Sequence, residues 1–104
     1  MEIGRLNQRI VIEHPVRTRD AAGQRLDDWR VVCRTWANVR RVSGIKTVEN
    51  QADVSVVRAS VRIRRRPDVT AGMRVRALGQ IFLIQAVLPD PDRVWMDLVV
   101  EGVT

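Results

Sequence analysis

The run "VRASVRIRRRP", residues 57–67, alternates with a period of two. Val57, Ala59, Val61 and Ile63 fall on odd positions, and Arg58, Ser60, Arg62, Arg64 and Arg66 on even ones. Successive side chains of a strand point to opposite faces, so the run reads as a β-strand with one apolar and one cationic side. The same period governs most of the chain. "RIVIEH", residues 9–14, reads as a first strand with Ile10 and Ile12 together, and Pro15 limits pairing beyond it because it lacks the amide hydrogen. "WRVVCRTWANVRRV", residues 29–42, reads as one long strand or two broken by a bend. Trp29, Val31 and Cys33 share one parity and Trp36 has the other. A bulge or corner between Cys33 and Trp36 is expected to return both tryptophans to the core.

Residues 54–66 form the longest clean strand. "RVRALGQIFLIQAVLP" holds two strands around a tight hairpin at Gly79-Gln80, and "DPDR" turns the chain into "VWMDLVVEGV". "SGIKTVENQADV" is the least strand-like part: Ile45, Val48 and Ala52 follow helical spacing, so a short helix and a loop both fit, with the loop preferred. Strands this short and this frequent, with little helix, imply an all-β domain, an antiparallel barrel or a sandwich. With 104 residues there is room for one domain, and closing the sheet is an efficient way to bury one face and remove open edges. The expected fold is a small antiparallel β-barrel of six to seven strands with a long mid-chain loop or short helix.

Chemistry is scarce. His14 is the only histidine, and one histidine without a partnering cysteine or second histidine does not make a usual zinc site. Asp27 and Asp28, and Asp90 and Asp92 with Pro89 and Pro91, sit in turns, where such residues commonly serve the backbone. Cys33, the single cysteine, lies in an apolar run and reads as a buried, inert thiol. No phosphate-binding glycine motif is present. The expectation is a non-enzyme without metal or cofactor. No apolar stretch of the length of a membrane span is found.

The net charge is +6, and 17 of the 18 basic residues are arginine, which suits carboxylate and phosphate forks or reflects genomic base composition. An OB-like basic nucleic-acid-binding module is therefore the rival reading. Against it, the only aromatics are Trp29, Trp36, Phe82 and Trp95, each within an apolar strand and expected in the core, which removes the stacking platforms.

Several local patterns together resemble the phage head–tail joining family, also called head-closure or stopper proteins. "IGRLNQRIVIEHPVRTRDAAGQ" is similar to that family's lead, Arg-Ile strand and "TRD…G" hairpin. "DDWRVVCRTWANVRRVSG" resembles its tryptophan strand, "WA-x-V" and Ser-Gly stop, and "VRIRRRPDVTAGMRVRALGQIFLIQAVLPDP" its arginine-rich strand, "GMRV" strand, glycine hairpin and "DPD" turn. The order is right over nearly the whole chain, although Arg65 stands where the family often has an aromatic.

The resemblance implies a barrel that assembles with copies of itself, six or twelve, as a ring at the neck of a tailed phage, prophage remnant or gene-transfer particle. Its partners would be the portal-associated adaptor protein and the tail terminator or tail tube protein, with transient contact to packaged DNA and none to membrane. It would be made in the host cytoplasm and reside in the virion neck, closing the channel. The implied channel loop covers Ser43, Gly44, Ile45, Lys46, Thr47, Val48, Glu49, Asn50, Gln51, Ala52 and Asp53. Arg58, Arg62, Arg64 and Arg66 could line DNA, fork to carboxylates of a neighbouring subunit or adaptor, or be simply solvated. A flat, rigid strand face favours docking.

Overall fold

The computed structural model describes residues 6–19, 21–23, 25–47 and 53–102. Its six strands are β1 (Gln8–Arg19), β2 (Arg25–Thr47), β3 (Asp53–Arg64), β4 (Arg74–Ala77), β5 (Gln80–Pro89) and β6 (Trp95–Gly102). They close into an all-antiparallel barrel in the order β1-β2-β3-β6-β5-β4, with β4 returning to β1. The expected barrel is the fold observed.

Parity explains the closure. In β3, Ala59, Val61 and Ile63 point inward and are buried. They meet Ile10 and Ile12 of β1, Val75 and Ala77 of β4, Phe82 and Ile84 of β5, and Met96, Leu98 and Val100 of β6. Val69, from the β3–β4 connection, joins the same core. Two bulges keep parity where the curved wall demands an extra residue. In β2 the ladder passes from Ile12↔Cys33 to Glu13↔Val31, leaving Val32 over. In β5 it passes from Ile84↔Val100 to Ala86↔Val99, leaving Gln85 over, after which Val87 is the residue packed on the core. Among the described residues no buried side-chain nitrogen or oxygen lacks a hydrogen-bond partner.

The turn expected at Asp27 and Asp28 is strand, Arg17↔Asp27 and Val16↔Asp28 being rungs of the β1–β2 ladder. Four further expectations change. First, β1 runs through Pro15 to Arg19, because only β2 pairs with that stretch while β4 stops at Glu13. Proline needs no donor on the open side. Second, the β4–β5 turn is Leu78-Gly79, one residue earlier than expected, with Ala77 paired to Gln80. Both central residues have positive φ, 54° and 69°, the twist that a two-residue hairpin requires. Third, Ser43 to Thr47 and Asp53 are strand, neither loop nor helix: Ser43↔Val57, Gly44↔Val56, Ile45↔Ser55, Lys46↔Val54 and Thr47↔Asp53 are paired. β-Branched residues on both sides of the ladder outweigh the helical spacing there. Val48, Glu49, Asn50, Gln51 and Ala52 lie outside the described residues. Fourth, the tryptophans are not core residues.

β2 holds two half-ladders end to end. Residues 25–37, apart from the bulged Val32, pair with β1, and residues 38–47 with β3. Because β4 pairs with β1 only at Val11–Glu13 and β6 meets β3 only from Arg58 onward, each end of β2 leaves the barrel as a two-stranded arm. The radius of gyration, 15.5 Å, accordingly exceeds the roughly 13 Å of a compact chain of this length.

The register carries a stability expectation. Ile63→Ala should destabilise the fold by about 2–5 kcal/mol through a core cavity. Ser60→Ala, on the outer side of the same strand, should change it by less than about 0.5 kcal/mol. Denaturant unfolding of both variants checks this, and equal losses would mean that β3 faces the other way.

Candidate functional site

Outer-facing side chains carry the polar chemistry of this molecule. Opposite each outward arginine of β3 stands a residue of β6: Arg58↔Glu101, Arg62↔Asp97 and Arg64↔Trp95. Arg62 makes a two-pronged bond to Asp97, its Nε and Nη2 donating at 2.8 and 2.9 Å. Asp90 lies 3.7 Å from the same guanidinium. The Arg62 fork, assisted by its charge and that of Arg40, overcomes the burial that would raise the Asp97 carboxyl and holds it below its ordinary value. Arg58 approaches Glu101 at 3.9 Å, and Arg64 lies over the Trp95 ring, 5.6 Å from its centroid. Arg66, just beyond the strand, forks Asp68 at 3.0 Å through both nitrogens. Of the four arginines singled out from sequence, Arg58, Arg62 and Arg64 share the β3–β6 side of the barrel, and Arg66 belongs to the connection beyond it. Arg58, Arg62 and Arg66 have carboxylate partners in their own chain.

A second cluster joins β1, β2 and β4. Arg74 donates to Glu13 at 2.6 Å and Arg76 to the same oxygen at 2.9 Å. The Arg74 guanidinium also lies 4.4 Å from the centroid of the Trp29 ring. Glu13 is only 8% exposed. Burial pushes its carboxyl up, but the hydrogen bonds and charges of Arg74 and Arg76 prevail and hold it below its ordinary range. This cluster ties together the two strands whose contact closes the barrel.

Trp36 departs furthest from expectation. It is 49% exposed, with the Arg9 guanidinium 5.2 Å from its ring centroid. The β2 bulge does bring Trp29 and Trp36 to one face, but it sits at Val32, and the shared face is the outer one. Cys33, Thr35 and Ala37 oppose Ile12, Ile10 and Gln8 on the inside, which turns Trp36 outward. Of the four aromatics only Phe82 is fully buried. Alternation around Ala37 and Cys33 was the available signal, hidden because tryptophan ranks as an apolar residue.

Cys33 is buried, and burial together with the Asp68 charge raises its thiol against the opposing effect of Arg66, which disfavours the reactive thiolate. His14 stands opposite Arg30 on the β1–β2 arm. Asp90 and Asp92 organise the β5–β6 turn, where Asp92 accepts from the Val94 amide at 3.1 Å. Among the described residues no three His, Cys, Asp or Glu side chains gather as a metal site.

Glu13 supplies a prediction. A carboxyl lowered on folding contributes stability that is full above its unfolded pKa and lost as pH falls through the folded one. The wild-type melting temperature should therefore drop as pH falls below the ordinary glutamate range of about 4.3. Glu13→Gln should cost about 1–2 kcal/mol at neutral pH, the solvent around Arg76 limiting the loss, and should flatten the acid limb. Thermal melts from pH 7 downward read both, and an unchanged acid limb would remove Glu13 from this role.

Two solved structures share the fold along nearly the full chain. One is a component of the "virion of native gene transfer agent (GTA) particle", with TM-score 0.74, 26% identity, and 97% of this chain and 98% of that one covered. The other is the solution structure of protein SF1141 from Shigella flexneri 2a, with TM-score 0.76, 30% identity, and 98% and 96% covered. No curated protein matches the chain. A family model described as phage head completion protein matches residues 1–103. Order of strands, extent of match and resemblance of motifs agree, and the chain belongs to the phage head completion protein family.

Proposed function

We propose that this chain is a structural, non-catalytic subunit that completes the DNA-filled head of a tailed phage or gene-transfer particle and prepares it for the tail. In this reading it binds at the neck beneath the portal-associated adaptor, forms a ring with its own copies, and offers a surface to the tail terminator or tail tube. Family membership over residues 1–103 and likeness to a gene-transfer-particle component support the general role.

The observation that carries the finer reading is the β2–β3 arm. Residues 43–47 and 53–57 pair with each other beyond the last rung shared with β6. Five rungs at about 3.3 Å per residue give a reach of roughly 15 Å from the barrel wall. A closed barrel is rigid, while a two-stranded ribbon held at one end has few packed neighbours and can swing. An arm of this length, with Ser43 to Thr47 and Asp53 in its outer part, suits a ring subunit that must reach into a central channel. Ring closure needs two different complementary flanks, and in this reading they lie on the outer wall.

The nucleic-acid-binding reading gains an exposed tryptophan from the structure. Two features keep it second: Arg9 already lies over the Trp36 ring, and the family assignment points to a particle component.

Shortening the arm tests the proposal. Replacing residues 46–54 by Asn-Gly preserves the Ile45↔Ser55 rung and supplies a compatible turn. Particles carrying this variant should package DNA but lose it before tails join, reducing infectivity or gene transfer by at least about tenfold. Particles that retain DNA and join tails at the wild-type level would refute the arm's role.

A further inference from the structure

The outer wall carries its cations in two states. Arg58, Arg62, Arg66, Arg74 and Arg76 have carboxylates within ion-pair distance in the same chain. Arg9, Arg34 and Arg64 have none among the described residues, and neither do Arg30, Arg40, Arg41, Arg65 and Arg93; all are exposed, and the first three lie together. These three surround Trp36. Arg9 is its ladder partner on β1, and Arg34 is the preceding outward residue of β2. Arg64 lies two residues past the last β2–β3 rung, Asn38↔Arg62, so it stands level with Trp36. Going around the closed barrel from β1 through β2 and β3 to β6, the row therefore reads Arg9, Trp36, Arg64, Trp95, an arc of about 15 Å at 4.8 Å per strand that turns half-way round the wall.

Resting on the head-completion reading above, we propose that this wall, centred on Trp36, is the surface that docks an acidic protein partner of the head. Three features select that occupant. Indole and guanidinium groups on a stiff wall are the side chains that dominate protein interfaces when buried by a partner. Their unpaired charge requires an anionic counterpart, and an arginine fork matches a carboxylate. Among the carboxylates whose side chains are described, a second copy of this chain offers few free ones, because Glu13, Asp68, Asp90, Asp97 and Glu101 are in ion pairs at home. Only Asp28 and Asp92 lack one among the described residues whose side chains are placed.

A single-stranded nucleic acid fits less well. Arg9 lies over one face of Trp36 and Arg64 over one face of Trp95, which takes up ring surface that stacking bases need. The guanidinium edges remain available for carboxylates.

The docking face thus shifts from β3 as a whole to the β1–β2–β3 wall. Of the arginines singled out in sequence, Arg64 belongs to it, and Arg9, Arg34 and Trp36 are its additional members.

The test uses DNA-filled heads from the source particle made without this chain, and the same heads emptied by nuclease after opening. Wild-type protein should bind both. Trp36→Ala and the double variant Arg34→Glu with Arg64→Glu should each weaken binding to both by at least about tenfold, while melting temperatures stay near wild type. Ser60→Ala, at an outer position of β3 outside the row, should bind as wild type does. Binding only to filled heads, or equal loss of binding to a single-stranded oligonucleotide, would assign the wall to DNA and overturn the proposal. Wild-type levels of head binding by the wall variants would overturn it while leaving head completion intact. Failure of the wild-type protein to bind any head would remove the head-completion reading itself.

Discussion

The barrel depends on a layer of inward side chains shared by all six strands, and that layer exists only while every strand keeps its parity. Ile10, Ile12, Cys33, Ala37, Ala59, Val61, Ile63, Val75, Phe82, Ile84, Leu98 and Val100 are buried because the sheet closes on itself. A slip of one residue in any strand would turn outward side chains inside and apolar ones into water, and in β3 or β4 it would bury arginines. The bulges at Val32 and Gln85 are therefore part of the closure, since they bend the wall and restore the apolar side after an extra residue. Glu13, held by Arg74 and Arg76, reinforces the β1–β4 contact, the shortest ladder of the ring.

Closure by short ladders leaves chain to spare. β2 is 23 residues long, yet its pairing with β1 ends where its pairing with β3 begins. Each end runs past the barrel and takes its hairpin partner with it. One arm combines the parts of β1 and β2 around Pro15 and Trp29, and the other the parts of β2 and β3 beyond Arg58. A rigid closed body bearing two ribbons fits the proposed role of a particle subunit that holds one place while reaching its neighbours. Stiffness and reach come from different parts of one sheet.

Charge is divided in the same manner. Most carboxylates on the wall are committed to arginines across a strand boundary, which fixes local geometry without yielding much net stability at the surface. Arginines near Trp36 remain uncommitted. A composition of +6 thus resolves into an internally balanced part and an unbalanced part, of which Arg9, Arg34 and Arg64 lie near one exposed indole. The distinction bears on partner choice more than on folding, because exposed charge acts chiefly on recognition and association.

Alternation in residues 57–67, the Pro and Gly breaks and the short strand lengths determined an all-β fold and the buried face of β3, because strand parity is a property of neighbouring residues along the chain. The order of motifs was also enough to resemble the head-completion family. Tertiary structure alone decided which face the tryptophans take, which arginines find a carboxylate, and that Ser43 to Thr47 continue a strand. Each of these turns on register between strands far apart in sequence. A two-residue hairpin moved by one position, or a bulge at Val32 instead of beyond Cys33, changes cross-strand partners without altering any local pattern. Trp36 shows the limit plainly: its hydrophobicity suggested the interior, but its neighbours Cys33 and Ala37 had already taken that side.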